Sequence, residues 1–230
     1  MITLSNVKTR RDETNSPCTR LTPVVLPEAK SSQTGVSVEY VHDPTKNWYV
    51  FRASYGREDN AADFLIGDGT YAYIAKRYVR KYVNRRPKKI LETLMPNFVF
   101  AYTSKEKAEE YTKNTPELSY LSYYYNHFEW VFDFEGKKKN PPLTIPSREM
   151  ENFIIATCNK DEHLMLVEES QCHFKGGEIV RITDGSFKGV EGRVARVAGQ
   201  QRVIVSLTNV GMVSTAYIPK AFLSVIYERD

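Results

Sequence analysis

The sequence lacks most of the features that identify a secreted protein, a membrane protein or a common hydrolase. Its three cysteines are an odd number without CxxC spacing, which argues against a disulfide framework and fits a reducing cytoplasm. It has no charged-then-apolar leader and no apolar run of 18 residues. Gly-rich phosphate loops and the GxSxG and HExxH motifs are also missing. We therefore expect a cytoplasmic protein that does not contact a membrane.

Histidine and cysteine are too scattered to predict a catalytic or metal site. None of the four histidines stands beside both a nucleophile and a carboxylate in the sequence. The set Cys158, His163, Cys172 and His173 has spacing that matches no usual zinc finger. We predict a binding protein with no enzymatic activity, no metal and no cofactor. An enzyme whose site is assembled from distant residues is the remaining alternative.

Positive charge is concentrated in one short segment of a mildly basic chain. The 230 residues have a net charge of +4 and a hydrophobic content of 41%, which fits one large or two small globular domains. One stretch without any acidic residue, here called the basic block, contains Lys76, Arg77, Arg80, Lys81, Arg85, Arg86, Lys88 and Lys89. We expect this block to form a long, basic, exposed hairpin. Its charge predicts either contact with phosphates or a solvated edge strand that resists aggregation.

The chain divides into an extension, two domains and a linker. Residues 1–44 are rich in Ser, Thr, Pro and charge, so we expect a flexible extension, with short strands near residues 24–26 or 36–38 as the alternative. Residues 45–158 have the pattern β-α-β-β-α-β-α, with Ser104 and Ser147 as helix N-caps. Residues 159–173 form the linker, and residues 174–230 the second domain.

Aromatic residues are densest between Leu118 and Phe134. We expect one or two strands here, with most of the rings packed against the sheet. The alternative is a partner-binding surface, because Tyr and Trp provide a large contact area at low entropic cost. Residues 137–142 then form a charged loop that ends in two prolines.

The segment Gly176–Val197 is typical of a strand–turn–strand unit. Residues 178–182 alternate polar and apolar, Asp184-Gly185 favours a turn, and Gly189 and Gly192 precede a second alternating strand. Strong turn signals between short alternating strands favour a small all-β domain. The unit resembles the KOW motif, which occurs in ribosomal proteins and in NusG-type elongation factors.

The first domain resembles the NGN domain of NusG-type transcription factors. The resemblance rests on the strand that opens with Trp48-Tyr49, on Gly56 before the first helix, and on residues 96–100, PNFVF, before the second. It implies an α+β fold, in which an NGN-type antiparallel sheet with flanking helices is followed by a KOW domain, a small SH3-like barrel. The Pro-Asn-aromatic form, where housekeeping members have Pro-Gly-Tyr, is more similar to the specialised RfaH-like and UpxY-like antiterminators.

This resemblance implies a monomeric antiterminator that binds RNA polymerase and suppresses pausing and termination, on a surface-polysaccharide operon. The clamp helices of the largest polymerase subunit would meet Trp48, Tyr49, Phe98 and Phe100. Packing in the core is the alternative for these residues. The basic block would contact non-template DNA or nascent RNA, with bases stacking on Tyr78 or Tyr82.

The resemblance also implies that the KOW domain recruits a ribosomal protein or a termination factor. Phe187, Ile204 and Val205 are its candidate contacts, with a place in the barrel core as the alternative for Ile204 and Val205. We expect this domain to remain a barrel, because residues rich in Val, Ile, Thr and Gly disfavour a helix. The alternative function is that of a ribosome-associated or RNA-binding KOW protein.

Overall fold

A computed structural model describes residues 25–226, except the side chains of residues 175–178. Of the extension predicted to be flexible, residues 1–24 lie outside the described residues. Residues 25–44, in contrast, pack on the first domain and include a short hairpin. The Tyr40 ring stacks on Trp48 at 5.6 Å between centroids, and Tyr102 Oη accepts a hydrogen bond from the Asp43 amide at 2.8 Å. This segment is ordered because it covers the aromatic side of the sheet.

The first domain contains eleven strands, several of them very short, and three helices. The helices are α1 (Glu58–Gly67), α2 (Lys105–Lys113) and α3 (Ser147–Thr157). The strands are β1 (Ala29–Lys30), β2 (Ser37–Val38), β3 (Asn47–Ala53), β4 (Tyr71–Tyr73), β5 (Lys76–Val83), β6 (Arg86–Thr93), β7 (Phe98–Thr103), β8 (Leu121–Tyr123), β9 (Val131–Phe132), β10 (Lys138–Lys139) and β11 (Thr144–Ile145). Within residues 25–226, no helix is both long and apolar enough to cross a membrane.

The central sheet of the first domain is antiparallel, with the strand order β11-β3-β7-β4. Strand β8 pairs with the same edge of β3 as β11 does, because β7 occupies the other edge. Side chains alternate between the two faces of the sheet. One face therefore carries Trp48, Phe100 and Tyr102, and the other carries Tyr49 and Phe51. Strands β5 and β6 form a separate two-stranded hairpin.

Local signals placed two features of this domain correctly. The Ser104 side chain accepts a hydrogen bond from the Lys107 amide at 3.3 Å, which confirms it as the N-cap of α2. The predicted N-cap of α3 is wrong by one residue, because the helix begins at Ser147 itself and its N-cap is Pro146. Asn97 has a φ of 67°, in the left-handed region that only Gly and Asn adopt readily. The Pro-Asn-Phe sequence therefore preserves the backbone that glycine would permit at this position.

The second domain is one antiparallel sheet of six strands, in the order β12-β16-β15-β14-β13-β17. These strands are β12 (Met165–Val167), β13 (His173–Ile182), β14 (Glu191–Val197), β15 (Gln200–Leu207), β16 (Gly211–Tyr217) and β17 (Leu223–Ile226). The overall fold is mixed α and β, as expected, but the ladder does not close into a barrel. Strand β12 comes from the predicted linker, since it pairs with β16.

Gly192 lies where β14 crosses β15, and its missing side chain allows the two backbones to approach. A Cβ atom there would overlap the carbonyl oxygen of Ile204 and lie 2.8 Å from Val203 Cγ1. The main chain of a paired strand cannot rotate away as a side chain can. A larger side chain at this position would therefore strain the pairing of the two strands.

We predict that Gly192→Ala lowers the free energy of unfolding by about 1–3 kcal/mol, measured by urea denaturation. Arg193→Ala on the same strand is the control, because Arg193 is exposed. A difference between the two variants below about 0.5 kcal/mol, the usual range for surface changes, would contradict this account of Gly192.

Candidate interaction surfaces

The aromatic face of the first sheet is covered by α3 in this structure. Trp48 and Phe100 are fully buried, and the Phe153 ring of α3 lies 5.5 Å from Phe100 in an edge-to-face arrangement. The Tyr73 hydroxyl and Thr157 Oγ1 form a hydrogen bond of 2.7 Å at the end of the same helix. Phe100 is therefore packed beneath α3, and Trp48 is packed beneath the Tyr40 ring.

The other two predicted polymerase contacts lie apart from each other. Tyr49 is buried on the opposite face of the sheet, with its ring 6.3 Å from Phe51 and 6.1 Å from Tyr123. Phe98 is half-buried at the start of β7, where its ring meets Tyr124 edge-to-face at 5.1 Å. Of the four residues, only Phe98 presents part of its side chain to solvent in this arrangement.

The second domain packs on the outer side of α3. The contact is apolar where α3 meets β15, and the buried residues of both domains belong to one hydrophobic cluster. Polar contacts surround it. Asn152 Oδ1 accepts a hydrogen bond from the Glu191 amide at 2.7 Å, and the Asn152 side-chain amide donates to the Glu191 carbonyl oxygen. Glu149 accepts from the amide and the hydroxyl of Thr208, both at 2.9 Å.

Glu191 is the charged centre of this interface. Arg181, on the neighbouring strand, and Arg148, on α3, both donate to its carboxylate. Burial alone would raise the pKa of the Glu191 carboxyl, but the hydrogen bonds and charges of the two arginines outweigh burial, and the net pKa is lowered. Deprotonated Glu191 therefore stabilises the contact between the two domains.

The basic block forms a long hairpin, with β5 and β6 paired from Lys76–Thr93 to Val83–Arg86. Its turn, Asn84-Arg85, has φ values of 51° and 62°, as a two-residue type I′ turn requires. The tip is therefore set by local backbone chemistry, and the prediction of a long, basic, exposed hairpin is confirmed in shape.

Half of the basic block is engaged near the base of the hairpin. Arg80 binds the Glu162 carboxylate through two hydrogen bonds of 3.0 and 3.1 Å, and Arg77 donates to the Leu164 carbonyl oxygen at 2.6 Å. Lys76 pairs with Asp59, and Lys81 pairs with Glu92 across the hairpin. Arg80, Arg77 and Lys76 hold the hairpin against the linker and the body of the first domain, whereas the Lys81–Glu92 pair lies within the hairpin.

The outer half of the hairpin has cations with no acidic partner among residues 25–226. Arg85, Arg86 and Lys88 are exposed and form no salt bridge there. Lys89 lies over the Tyr78 ring, with Nζ 4.6 Å from the centroid, and the Tyr82 side chain is 78% exposed. This tip combines uncompensated positive charge with an accessible ring, which suits contact with phosphates and bases.

The predicted contacts of the second domain all lie in its interior. Phe187, Ile204 and Val205 are buried among the residues that hold the six-stranded sheet to α3 and to its own turns. Burial is expected for Ile204 and Val205, which sit on a central strand. In this arrangement none of the three offers a side chain to a partner, and their role as contacts stays a prediction.

Sequence reasoning missed a group of four exposed aromatic residues. Phe128, Trp130, Phe132 and Phe134 were expected mostly to pack, but they lie outside the central sheet and are exposed. The signal that marks them is the run of charged residues around them, from Glu129 to Lys139, together with Gly136. A sequence in which aromatic residues alternate with charged residues fits a two-stranded ribbon in solvent as well as it fits a strand in a sheet.

Comparison with known proteins bears on the first domain. Residues 46–154 match the family model NusG, described as transcription termination factor nusG. The matched range runs from just before β3 into α3, and so includes the aromatic sheet and the basic hairpin. The match covers slightly less than half of the chain, and it shows that residues 46–154 are similar to the NusG family. A comparison with curated proteins found no match.

We predict that Glu191→Gln weakens the contact between the domains and lowers the free energy of unfolding by about 1 kcal/mol at neutral pH. A carboxyl with a lowered folded-state pKa contributes stability above its unfolded pKa and loses it as pH falls through the folded pKa. Urea unfolding curves of the wild type and the variant should therefore converge on acidification. Glu117→Gln, at an exposed site, is the control, and a difference that grows with acid would contradict this role.

Proposed function

We propose that this protein is a transcription elongation factor that binds bacterial RNA polymerase through its first domain and acts as a processive antiterminator. The observation that carries the proposal is the NusG match across residues 46–154, which coincides with the domain that has the aromatic sheet and the basic hairpin. The remaining surfaces of the chain have features that fit this activity, and each supports a separate part of the proposal.

The polymerase contact is proposed at the edge of the aromatic sheet, around Phe98. Recognition of an amphipathic coiled coil, such as the clamp helices, needs an apolar depression with accessible rings at its margin. Phe98 and Tyr124 would supply such a margin, while Phe100 is buried under α3 and Trp48 is buried under the Tyr40 ring. Tyr49 faces α2 on the other side of the sheet, so its effect on this contact would be indirect.

The nucleic-acid contact is proposed at the tip of the basic hairpin. Arg85, Arg86 and Lys88 have no acidic partner among the described residues, whereas Lys76, Arg77, Arg80 and Lys81 are engaged within the protein. The tip cations would bind phosphates of non-template DNA or nascent RNA, and Tyr82 would stack on an exposed base. Lys76, Arg77 and Arg80 would orient the hairpin on the protein, and Lys81 would stabilise the hairpin itself.

The specialised branch is proposed from Pro96-Asn97-Phe98. Asn97 adopts the left-handed conformation, so the departure from glycine leaves the turn intact and changes the side chain beside Phe98. A local change at the proposed polymerase contact, with an unchanged backbone, fits a factor adapted to a particular operon, such as one for surface polysaccharide. The second domain would recruit a further protein, a ribosomal protein or a termination factor.

We predict that Phe98→Ala weakens binding of the full chain to RNA polymerase core enzyme at least tenfold, because a half-buried ring at the centre of an interface is a typical hot spot. Phe64→Ala on α1 is the matched control, since Phe64 is also half-buried in the same domain. Binding is measured by surface-immobilised polymerase titration. Equal affinities of the two variants would remove Phe98 from the interface.

We predict that changing Arg85, Arg86 and Lys88 together to Gln reduces read-through of a terminator in a reconstituted transcription assay. A plot of the logarithm of the affinity for single-stranded nucleic acid against the logarithm of the salt concentration has a negative slope. Loss of three phosphate contacts should reduce the magnitude of this slope by about 2. Changing three exposed lysines elsewhere to Gln, Lys105, Lys113 and Lys188, is the control for net charge. Unchanged read-through would contradict a role for the hairpin tip.

The same assays separate this function from that of an RNA-binding protein outside transcription. Such a protein would bind naked RNA with steep salt dependence and would not co-purify with polymerase. Its RNA affinity would also be unaffected by Phe98→Ala, whereas an elongation factor would lose its polymerase contact.

A further inference from the structure

The edge strand of the first sheet is interrupted by a segment that contributes nothing to the sheet itself. Strands β8 and β11 pair with the same edge of β3, through Phe51–Tyr123 and Tyr49–Thr144. Between them, the Tyr124 amide donates to the Val50 carbonyl oxygen at 2.9 Å, and the Val50 amide donates to that of Leu143 at 3.2 Å. Residues 126–140, here called the aromatic ribbon, therefore leave the edge and return to it almost at the same point.

The aromatic ribbon is held by hydrogen bonds rather than by a core of its own. Buried Asn126 accepts from the Phe128 amide at 3.1 Å, and Asn140 Nδ2 donates to the carbonyl oxygens of Asn126 and Glu129 at 2.9 and 2.8 Å. At the far end, Asp133 Oδ1 accepts from the amides of residues 135 and 137 at 3.0 and 2.8 Å. This frame fixes the backbone while its rings remain in water.

Four large rings project from this frame. Phe128 is 76% exposed, Trp130 53%, Phe132 73% and Phe134 96%. Burying a large apolar side chain typically stabilises a fold by about 1.5–3 kcal/mol, so the protein gains little of that energy from any of these rings. Clustered exposed rings on a built frame indicate a binding surface.

One face of the ribbon combines rings with positive charge. Phe132 pairs with Lys138 in the β9–β10 ladder, so Trp130, Phe132 and Lys138 lie on the same face. Lys138 Nζ lies 4.1 Å from the centre of the Trp130 ring. Two of the three acidic side chains of the ribbon form salt bridges, Asp133 with Lys139 at 2.9 Å and Glu135 with Lys137 at 2.8 Å, whereas the exposed Glu129 forms none within residues 25–226. Within residues 25–226, Lys138 forms no salt bridge.

We propose that this face of the aromatic ribbon binds single-stranded nucleic acid, with bases stacked on Trp130 and Phe132 and a phosphate bound by Lys138. Base–aromatic stacking with nearby cations is the usual basis of sequence-tolerant single-strand binding. We favour nucleic acid over a protein or a lipid surface because of the charge on this face. Lys138, which forms no salt bridge among the described residues, lies against the Trp130 ring and could bind a phosphate beside a stacked base.

Spacing selects a single strand over a duplex. Residues two apart on one face of a strand are separated by about 6.6–6.8 Å, roughly twice the 3.4 Å rise between stacked bases. Bases that rest on both rings must therefore be separated from one another, which a single strand permits and a duplex does not. This site is independent of polymerase binding and distinct from the tip of the basic hairpin.

The test uses the full chain and a fluorescein-labelled oligo(dT), with anisotropy for affinity and intrinsic tryptophan emission for contact. The chain has two tryptophans, of which Trp48 is fully buried and Trp130 is exposed. Quenching of the emission component accessible to iodide therefore reports on Trp130. We expect oligo(dT) to quench it, and duplex DNA of equal length to leave it unchanged.

Trp130→Ala with Phe132→Ala should weaken oligo(dT) binding at least tenfold, since stacking contributes about 1–3 kcal/mol per base. Lys138→Gln should weaken it less and reduce the salt dependence. Val131→Ala is the matched control on the opposite face, and far-UV circular dichroism verifies the fold of each variant. Equal binding by the double variant and by Val131→Ala would overturn the proposal. Preference for duplex DNA, or binding only to anionic lipid vesicles, would overturn it as well.

Discussion

The packing of α3 between the two sheets is the contact on which the rest of this structure depends. Met150, Phe153 and Ile154 are fully buried, with Phe153 against the Phe100 ring of the first sheet and the helix packed on β15 of the second. One amphipathic helix therefore completes the core of the first domain and provides the docking site of the second. Because of this double use, the aromatic face of the first sheet is interior rather than exposed.

Polar contacts around α3 have a different effect from its apolar packing. Hydrogen bonds of Asn152 and Glu149 with β14 and the β15–β16 turn define the orientation of the second domain, and Glu191 adds charge to the same interface. Apolar packing tolerates sliding, whereas directional hydrogen bonds and an ion pair specify one arrangement. The relative position of the two domains is thus decided at a few residues in the first half of a single helix.

The surfaces proposed for nucleic acid share one construction. The basic hairpin and the aromatic ribbon are both two-stranded, and each forms a hydrogen bond to the rest of the protein, from Arg80 to Glu162 and from Asn209 to Asn126. Two-stranded ribbons have too little apolar burial to be stable alone, so these anchors to the domain body hold them in place. The side chains at their outer ends do not pack in a core and are therefore available for binding.

Much of the first domain followed from sequence, including α2 with its Ser104 cap, the order of helices and strands, and the exposed basic hairpin, because caps, turns and alternation are local signals. The sequence also determined the left-handed turn at Asn97 and the close approach of strands at Gly192, which depend on a single residue each. Only the tertiary structure decided which rings are buried: Trp48 and Trp130 both lie in aromatic runs, yet Trp48 is buried beneath the Tyr40 ring and Trp130 is exposed. Alternation specifies two faces of a strand, but burial of a face depends on what distant segment covers it.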